Sequence, residues 1–224
     1  MQNSQENPML WQHLRRAVVV PVLLLAGCGS HNRIVDSPDN FSNLDDFVQV
    51  LDSSWTVDDG VIASRQNPSG RLDGEGWLLT RKFYTDFTLR LKFRLTPGGN
   101  SGVFVRVAGT WQERLAAPLG GSSPWDAGYE VNINNDEPNY PTGSIWALAK
   151  GPKKLQVEGE WNDLEITVAG NRIWTWVNGT PAIEGAELPP RSATGAIGFQ
   201  RHGGEQYREK FIEFRDVEIA EADG

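Results

Sequence analysis

The chain has 224 residues and a net charge of −8, a length that suits one substantial domain plus a leader. An acidic balance with no basic stripe argues against a nucleic-acid partner. The single cysteine, Cys28, excludes an intrachain disulfide. Three histidines with no HExxH and no paired CxxC give no support for a zinc site.

Taken in order, the chain begins with a charged pair, Arg15 and Arg16, before the apolar run Ala17 to Leu25, which ends in Ala26-Gly27-Cys28. That pattern predicts a secretory leader, and the run is too short to span a bilayer. Leu25-Ala26-Gly27-Cys28 resembles the lipobox of bacterial lipoproteins. The resemblance implies cleavage before Cys28 and acylation there. Each buried CH₂ of such an anchor contributes about 0.8 kcal/mol, so several chains hold firmly. Gly29, where an Asp would signal inner-membrane retention, favours the outer membrane. The expected organisation is a leader over 1–28, a flexible tether over 29–40, and one β-sandwich domain over 41–224, lipid-anchored in the bacterial envelope and facing the periplasm.

Phe41 to Leu51 is ambiguous between a short helix and an irregular lead-in. Trp55 to Ile62 reads as a hairpin turning at Asp59-Gly60. Trp77 to Thr80 is a short strand. From Phe87 the pattern is strictly period two: Phe87, Leu89, Leu91, Phe93 and Leu95 fall on one face, Thr88, Arg90, Lys92 and Arg94 on the other. The turn Pro97-Gly98-Gly99-Asn100 leads into a second strand, with Val103, Val105 and Val107 expected on one face and Phe104 and Arg106 on the other. Residues 108–127 have no period and many Gly, Pro and Ser, the pattern of a long loop. Tyr129, Val131 and Ile133 then alternate with Glu130, Asn132 and Asn134. Gly143 to Leu148 reads as a further strand. Trp161 to Val168 and Arg172 to Val177 read as a pair, and Asn178-Gly179 is the clearest hairpin turn in the chain. Ala196 to Arg201 and Phe211 to Ile219 are the last strands. Many short strands with frequent turns and no helical period indicate an all-β fold, a sandwich or jelly roll of two antiparallel sheets.

Few residues here suit chemistry. There is no GxSxG elbow and no phosphate loop. Asn134, Asn135, Asp136 and Glu137 carry oxygens that could hold calcium, but such clusters are far more often turn-formers, so no metal or cofactor is expected. What remains is Glu130, with Arg106 read as part of the same polar floor, together with Asn132, Gln200 and His202. Gln200 and His202 share a face of their strand as Glu130 and Asn132 share theirs.

Several segments occur in an order that resembles one known family. They are Leu78-Leu79-Thr80, Asp86-Phe87, Gly98-Gly99-Asn100-Ser101-Gly102 with Arg106, Gly128-Tyr129-Glu130-Val131, Thr142-Gly143, Trp161-Asn162, Val177-Asn178-Gly179 and Gly195 to Gly203. Together, over roughly residues 52–219, they look like the 3-keto-disaccharide hydrolase domain, which has a concanavalin-like jelly roll. The resemblance implies a glycoside whose sugar is oxidised to a ketone at C3. Such a ketone acidifies the C2 hydrogen, so one base can remove it, the enolate expels the C1 substituent, and water adds to the enone. Retaining glycosidases instead need two carboxyl groups about 5–5.5 Å apart. Laminarinase-type enzymes of similar fold carry these as E-x-D-x-x-E, and here the strand Glu130-Val131-Asn132-Ile133-Asn134-Asn135 lacks the second Glu.

On this resemblance Glu130 is expected as base, His202 as acid to the leaving group, and Arg106 as the group that orients the sugar or stabilises the enolate. Asn132, Gln200 and Asn100 are expected as substrate contacts. Asn132 departs from the family's usual Gln, and Trp146 from its usual Tyr, so Trp146 offers a stacking face but no hydroxyl. The alternative is a non-catalytic carbohydrate-binding module, with Trp111, Trp125, Trp146, Trp174 and Trp176 as a platform. Either way the expected partner is a carbohydrate or 3-keto-glycoside.

Overall fold

In chain order the strands are β1 (Asp39–Phe41), β2 (Phe47–Leu51), β3 (Trp55–Asp58), β4 (Val61–Ser64), β5 (Gly76–Thr80), β6 (Phe87–Leu95), β7 (Ser101–Val107), β8 (Tyr129–Ile133), β9 (Asn162–Ala169), β10 (Arg172–Val177), β11 (Thr180–Glu187), β12 (Ala196–Arg201) and β13 (Ile212–Glu221). They come from a computed structural model that describes residues 39–51, 55–64, 75–109 and 128–222. The expected leader, the lipobox Cys28 and most of the expected tether lie outside the described residues, as do Trp111, Trp125 and most of the 108–127 loop.

Among the described residues the strands make two antiparallel sheets. The larger runs β11-β10-β9-β6-β13-β4-β3, with β1 also paired to β13, and the smaller runs β2-β5-β12-β7-β8. The alternation in β6 explains why they stack. Phe87, Leu89, Leu91, Phe93 and Leu95 are all buried, packed with Val103, Val105, Val131, Ile133, Ile197 and Phe199 of the smaller sheet. Burying each such side chain contributes roughly 1.5–3 kcal/mol. The opposite face of β6 is polar and paired across strands: Thr88 with Thr167, Arg90 with Glu165, Lys92 with Asp163, Arg94 with Glu213. The hairpin at Asn178-Gly179 forms as expected, the two residues adopting φ of 50° and 74°, a geometry that Asn and Gly tolerate best.

Four expectations are corrected. Phe41 to Leu51 holds no helix: β1 pairs with β13 and β2 with β5. Asp39 and Asn40, expected at the end of the tether, thereby belong to the sandwich. Gly143 to Leu148 is not a strand. Positive φ at Gly143 (90°) and Ala147 (56°) curls it, so that Ile145 alone bridges to Val131 and to Ala149. Finally, Val107 does not share the face of Val103 and Val105. The β7–β12 register slips between the Ala196 and Gly198 pairings, and Arg106, at the slip, has φ of 54°. An extra residue of this kind reverses the facing of the residues beyond it, and Val107 joins Phe104 in a second, smaller apolar cluster on the outer side of the sheet with Trp77 and Leu79.

Candidate active site

Strand pairing lays out the outer face of the smaller sheet as rows. Gly198 pairs with Leu79 and Phe104, and Phe104 pairs with Glu130. One row along, Gln200 pairs with Trp77 and Gly102, and Gly102 pairs with Asn132. Residues directly opposite on an antiparallel pair have Cβ atoms within about 5.5 Å, so Glu130, Asn132 and Gln200 lie on one face; alternation alone pairs Glu130 with Asn132, and the strand order adds Gln200. The floor beneath them is rigid: Phe104, Trp77 and Gln200 are buried, and the Trp77 and Phe104 rings meet edge-on at 4.4 Å.

Gly102 matters because of what lies over it. A Cβ added there would sit 2.5 Å from Glu130 Oε1 and 2.9 Å from its Cγ. The half-buried Glu130 side chain therefore folds down across Gly102 toward Gln200. Burial, and then the charge of Glu75, push the Glu130 carboxyl up to about 8 from its ordinary value of 4.5. Glu75, just ahead of β5, accepts a hydrogen bond from Gln200 Nε2 at 3.0 Å. It belongs to this site and no local pattern in the sequence singled it out.

The other expected residues divide. Asn132 is buried and spends its amide nitrogen on the Tyr140 carbonyl at 2.5 Å. Trp146, 44% exposed, donates its backbone N–H to the Glu130 carbonyl and packs its ring 5.4 Å from that of Tyr140, making an aromatic rim beside Glu130. Asn100 stands one residue before β7, with Oδ1 buried and unpartnered; Gln200 Oε1 and Trp77 Nε1 share that condition. Buried polar atoms are nearly always paired, and three of the unpartnered ones among the described residues belong to this face or its edge. His202 lies one residue past β12. Its Nδ1–H donates to the Gly203 carbonyl at 2.7 Å, and its ring stands edge-on to Tyr207.

Arg106 is not part of this face. The bulge turns it to the side of Tyr129, whose neighbour Glu130 points the opposite way. Its Nε and Nη2 donate to the Thr85 carbonyl, and Nη2 also to Asp86 Oδ1 at 3.0 Å. It lines a separate cavity of about 660 Å³ with Asp86, Tyr129, Glu187, Pro189 and Arg191. The polar floor expected to hold Arg106 and Glu130 together is therefore two sites on opposite sides of the sheet. Asn134 to Glu137 form a turn in which Asn134 Oδ1 accepts from the Asp136 N–H and Glu137 Oε1 from the Asn139 N–H, while Asn135 Oδ1 is buried without a partner. Trp174 and Trp176 lie on β10 of the other sheet.

The model of the 3-keto-alpha-glucoside-1,2-lyase-like domain matches residues 38–220. The chain belongs to this family. A curated relative, the 3-keto-disaccharide hydrolase of Bacteroides thetaiotaomicron, is 26% identical over 132 residues, which are 52% of this chain and 44% of that protein. The chain thus matches less than half the length of that relative. Among solved structures, a provisionally assigned glycosyl hydrolase from Parabacteroides distasonis aligns with a TM-score of 0.62 at 19% identity, over 81% of this chain and 91% of that one. Lectin II from Ulex europaeus aligns at 0.59 and 15%, over 83% and 98%. The carbohydrate-binding module CBM66 from Bacillus subtilis aligns at 0.56 and 14%, over 81% and 99%. These neighbours show the jelly-roll fold of this 3-keto-alpha-glucoside-1,2-lyase-like domain.

Proposed function

We propose that the domain cleaves glycosides whose sugar carries a ketone at C3, by elimination and then hydration. The observation that carries this reading is Glu130, a carboxyl raised to about 8 on a stiff strand with orphaned polar atoms on the same face. A base is most effective when its pKa lies near the working pH, and a carboxylate of raised pKa is a stronger base toward a carbon acid than an ordinary one. Glu130 takes the C2 proton and the electron pair passes to the C3 oxygen as an enolate. The enolate reforms the ketone and expels the C1 oxygen, which takes a proton from Nε2 of His202 in its doubly protonated form. Water then adds across C1 and C2: its hydroxyl goes to C1, its remaining proton goes to His202 Nε2, and Glu130 returns the C2 proton. Gln200, Asn100 and Trp77 supply hydroxyl and enolate contacts, and Trp146 stacks on the sugar or aglycone.

Two other readings have their own support. Glu75 gives this face a second carboxylate, the requirement of direct glycoside hydrolysis. The Trp146–Tyr140 rim and the lectin-like neighbours suit a binding module, and fold alone does not choose between enzyme and module. Incubation with a 3-keto-glucoside and with its unoxidised parent separates all three. The proposal expects aglycone release from the keto compound alone. Release from both supports direct hydrolysis, and binding without release supports the module. The proposal includes anchoring in the bacterial envelope through Cys28, tested by incorporation of a fatty-acid analogue that Cys28→Ser abolishes.

A further inference from the structure

Glu75 stands in the one position from which it can control how Gln200 is presented to the site. Gln200 is buried, with Trp77 on one flank and Gly102 on the other. Its Nε2 donates to Glu75 Oε1 at 3.0 Å. A carboxylate only accepts, so it selects the amide's nitrogen and leaves the amide's oxygen turned away. That oxygen has no hydrogen-bond partner. The Glu130 side chain lies over Gly102, the residue directly opposite Gln200. We propose that Glu75 is a positioning residue: it locks the Gln200 amide so that its oxygen awaits a proton donor, and that donor is Glu130 once it has taken the substrate's proton.

This rests on Glu130 acting as the base, and it explains how the base is made strong. An acceptor held beside Glu130 favours the protonated carboxyl over the carboxylate, because only the former has a proton to donate. Burial, the largest cause of the raised value, and then the like charge of Glu75 act in the same direction. Among the described residues, the elements packed around Glu130 bring few other charges. Phe104 and Gly102 face it from β7 and Trp146 from the segment after β8, while Glu75 precedes β5 and His202 follows β12. A chain of three groups, carboxylate to amide to carboxyl, thus couples Glu75 to the reacting atoms without Glu75 touching them.

The test uses the full-length protein and two readouts. Glu130 is titrated by ¹³C NMR of labelled glutamate carboxyls, its signal identified by loss in Glu130→Gln, and kcat/KM is measured against pH with a 3-keto-glucoside. In Glu75→Gln the charge is gone and the new amide can either donate or accept, so the lock is lost. In Gln200→Met the charge of Glu75 stays but the acceptor is gone. Both variants are expected to lower the Glu130 midpoint, Glu75→Gln by about one unit and Gln200→Met by about half a unit, with the rising limb of kcat/KM moving in step. Circular dichroism confirms the fold of each. Unchanged midpoints in both variants overturn the proposal. A shift in Glu75→Gln alone also overturns it, since through-space repulsion then suffices. If the midpoints move but wild type never turns over the keto-glucoside, the coupling stands and the elimination reading falls. Turnover with unmoved midpoints has the opposite meaning.

Discussion

The two faces of the smaller sheet carry polar groups in contrasting states. On the inner side at the bulge, Arg106 is 4% exposed and well satisfied. It holds the Thr85 carbonyl and Asp86, while Asp86 Oδ1 also accepts from the Gly170 N–H and the Asp86 carbonyl accepts from the Ala222 N–H. That network ties β7 to the β9–β10 turn and to the end of β13. On the outer side, Gln200 Oε1 and Trp77 Nε1 are buried with no partner, as is Asn100 Oδ1 at its edge, and Glu130 has a strongly raised pKa. A closed network is what a scaffold needs. An open one costs about 1–3 kcal/mol for each orphaned group, a cost that a site retains because its ligand removes it. On the proposed reading the difference separates Arg106, as architecture, from Glu130, as chemistry.

Four substitutions sharpen that contrast. Glu130→Gln is expected to lower kcat by roughly 10²–10⁴ with the fold intact, the usual range for a positioned base. It should also stabilise the protein at high pH. The folded-state pKa lies above the unfolded value, so this group's contribution to stability is whole below about pH 4.5 and lost as pH rises to about 8. Removing the carboxylate therefore gains ~2 kcal/mol above pH 8 and little below pH 5, visible as a pH-dependent rise in Tm. Gly102→Ala should cost tenfold or more in kcat and lower Tm by a few degrees at most, since the new methyl meets Oε1, Cγ and Cδ of Glu130 rather than backbone and must push that side chain aside. Trp146→Ala, on the exposed rim, should raise KM about three- to tenfold with no change in Tm, the scale of a lost stacking contact. Arg106→Met inverts the pattern. Activity should stay within about twofold, while losing hydrogen bonds made by a charged group costs ~2 kcal/mol and about 4–8 °C in Tm. An Arg106→Met variant with intact stability and abolished turnover breaks the comparison.

Much of the fold is legible in the chain because alternation is a local signal. Phe87 to Leu95 declares its faces without help, and the facing of Glu130, Asn132 and Gln200 obeys the same rule. The bulge is not legible, since one positive φ at Arg106 leaves no mark on the residue pattern yet moves its side chain through the sheet. Nor is the curl of 143–148, where Ala147 adopts a conformation its composition does not advertise. Glu75 escapes notice for another reason: it reaches Gln200 from 125 positions away, and only the pairing of β5 with β12 brings the two together. Gly74-Glu75-Gly76-Trp77 contains a clue in its isolated charge ahead of a buried strand, but nothing in it names the partner.

The most direct measurement is kcat/KM against pH for wild type with a 3-keto-glucoside. The account predicts a rate that climbs with pH through an inflection near 8, absent in Glu130→Gln, and no release from the unoxidised glucoside at any pH. A rate already level above about pH 5, where an ordinary carboxylate is fully ionised, or equal turnover of the parent glucoside, would contradict it.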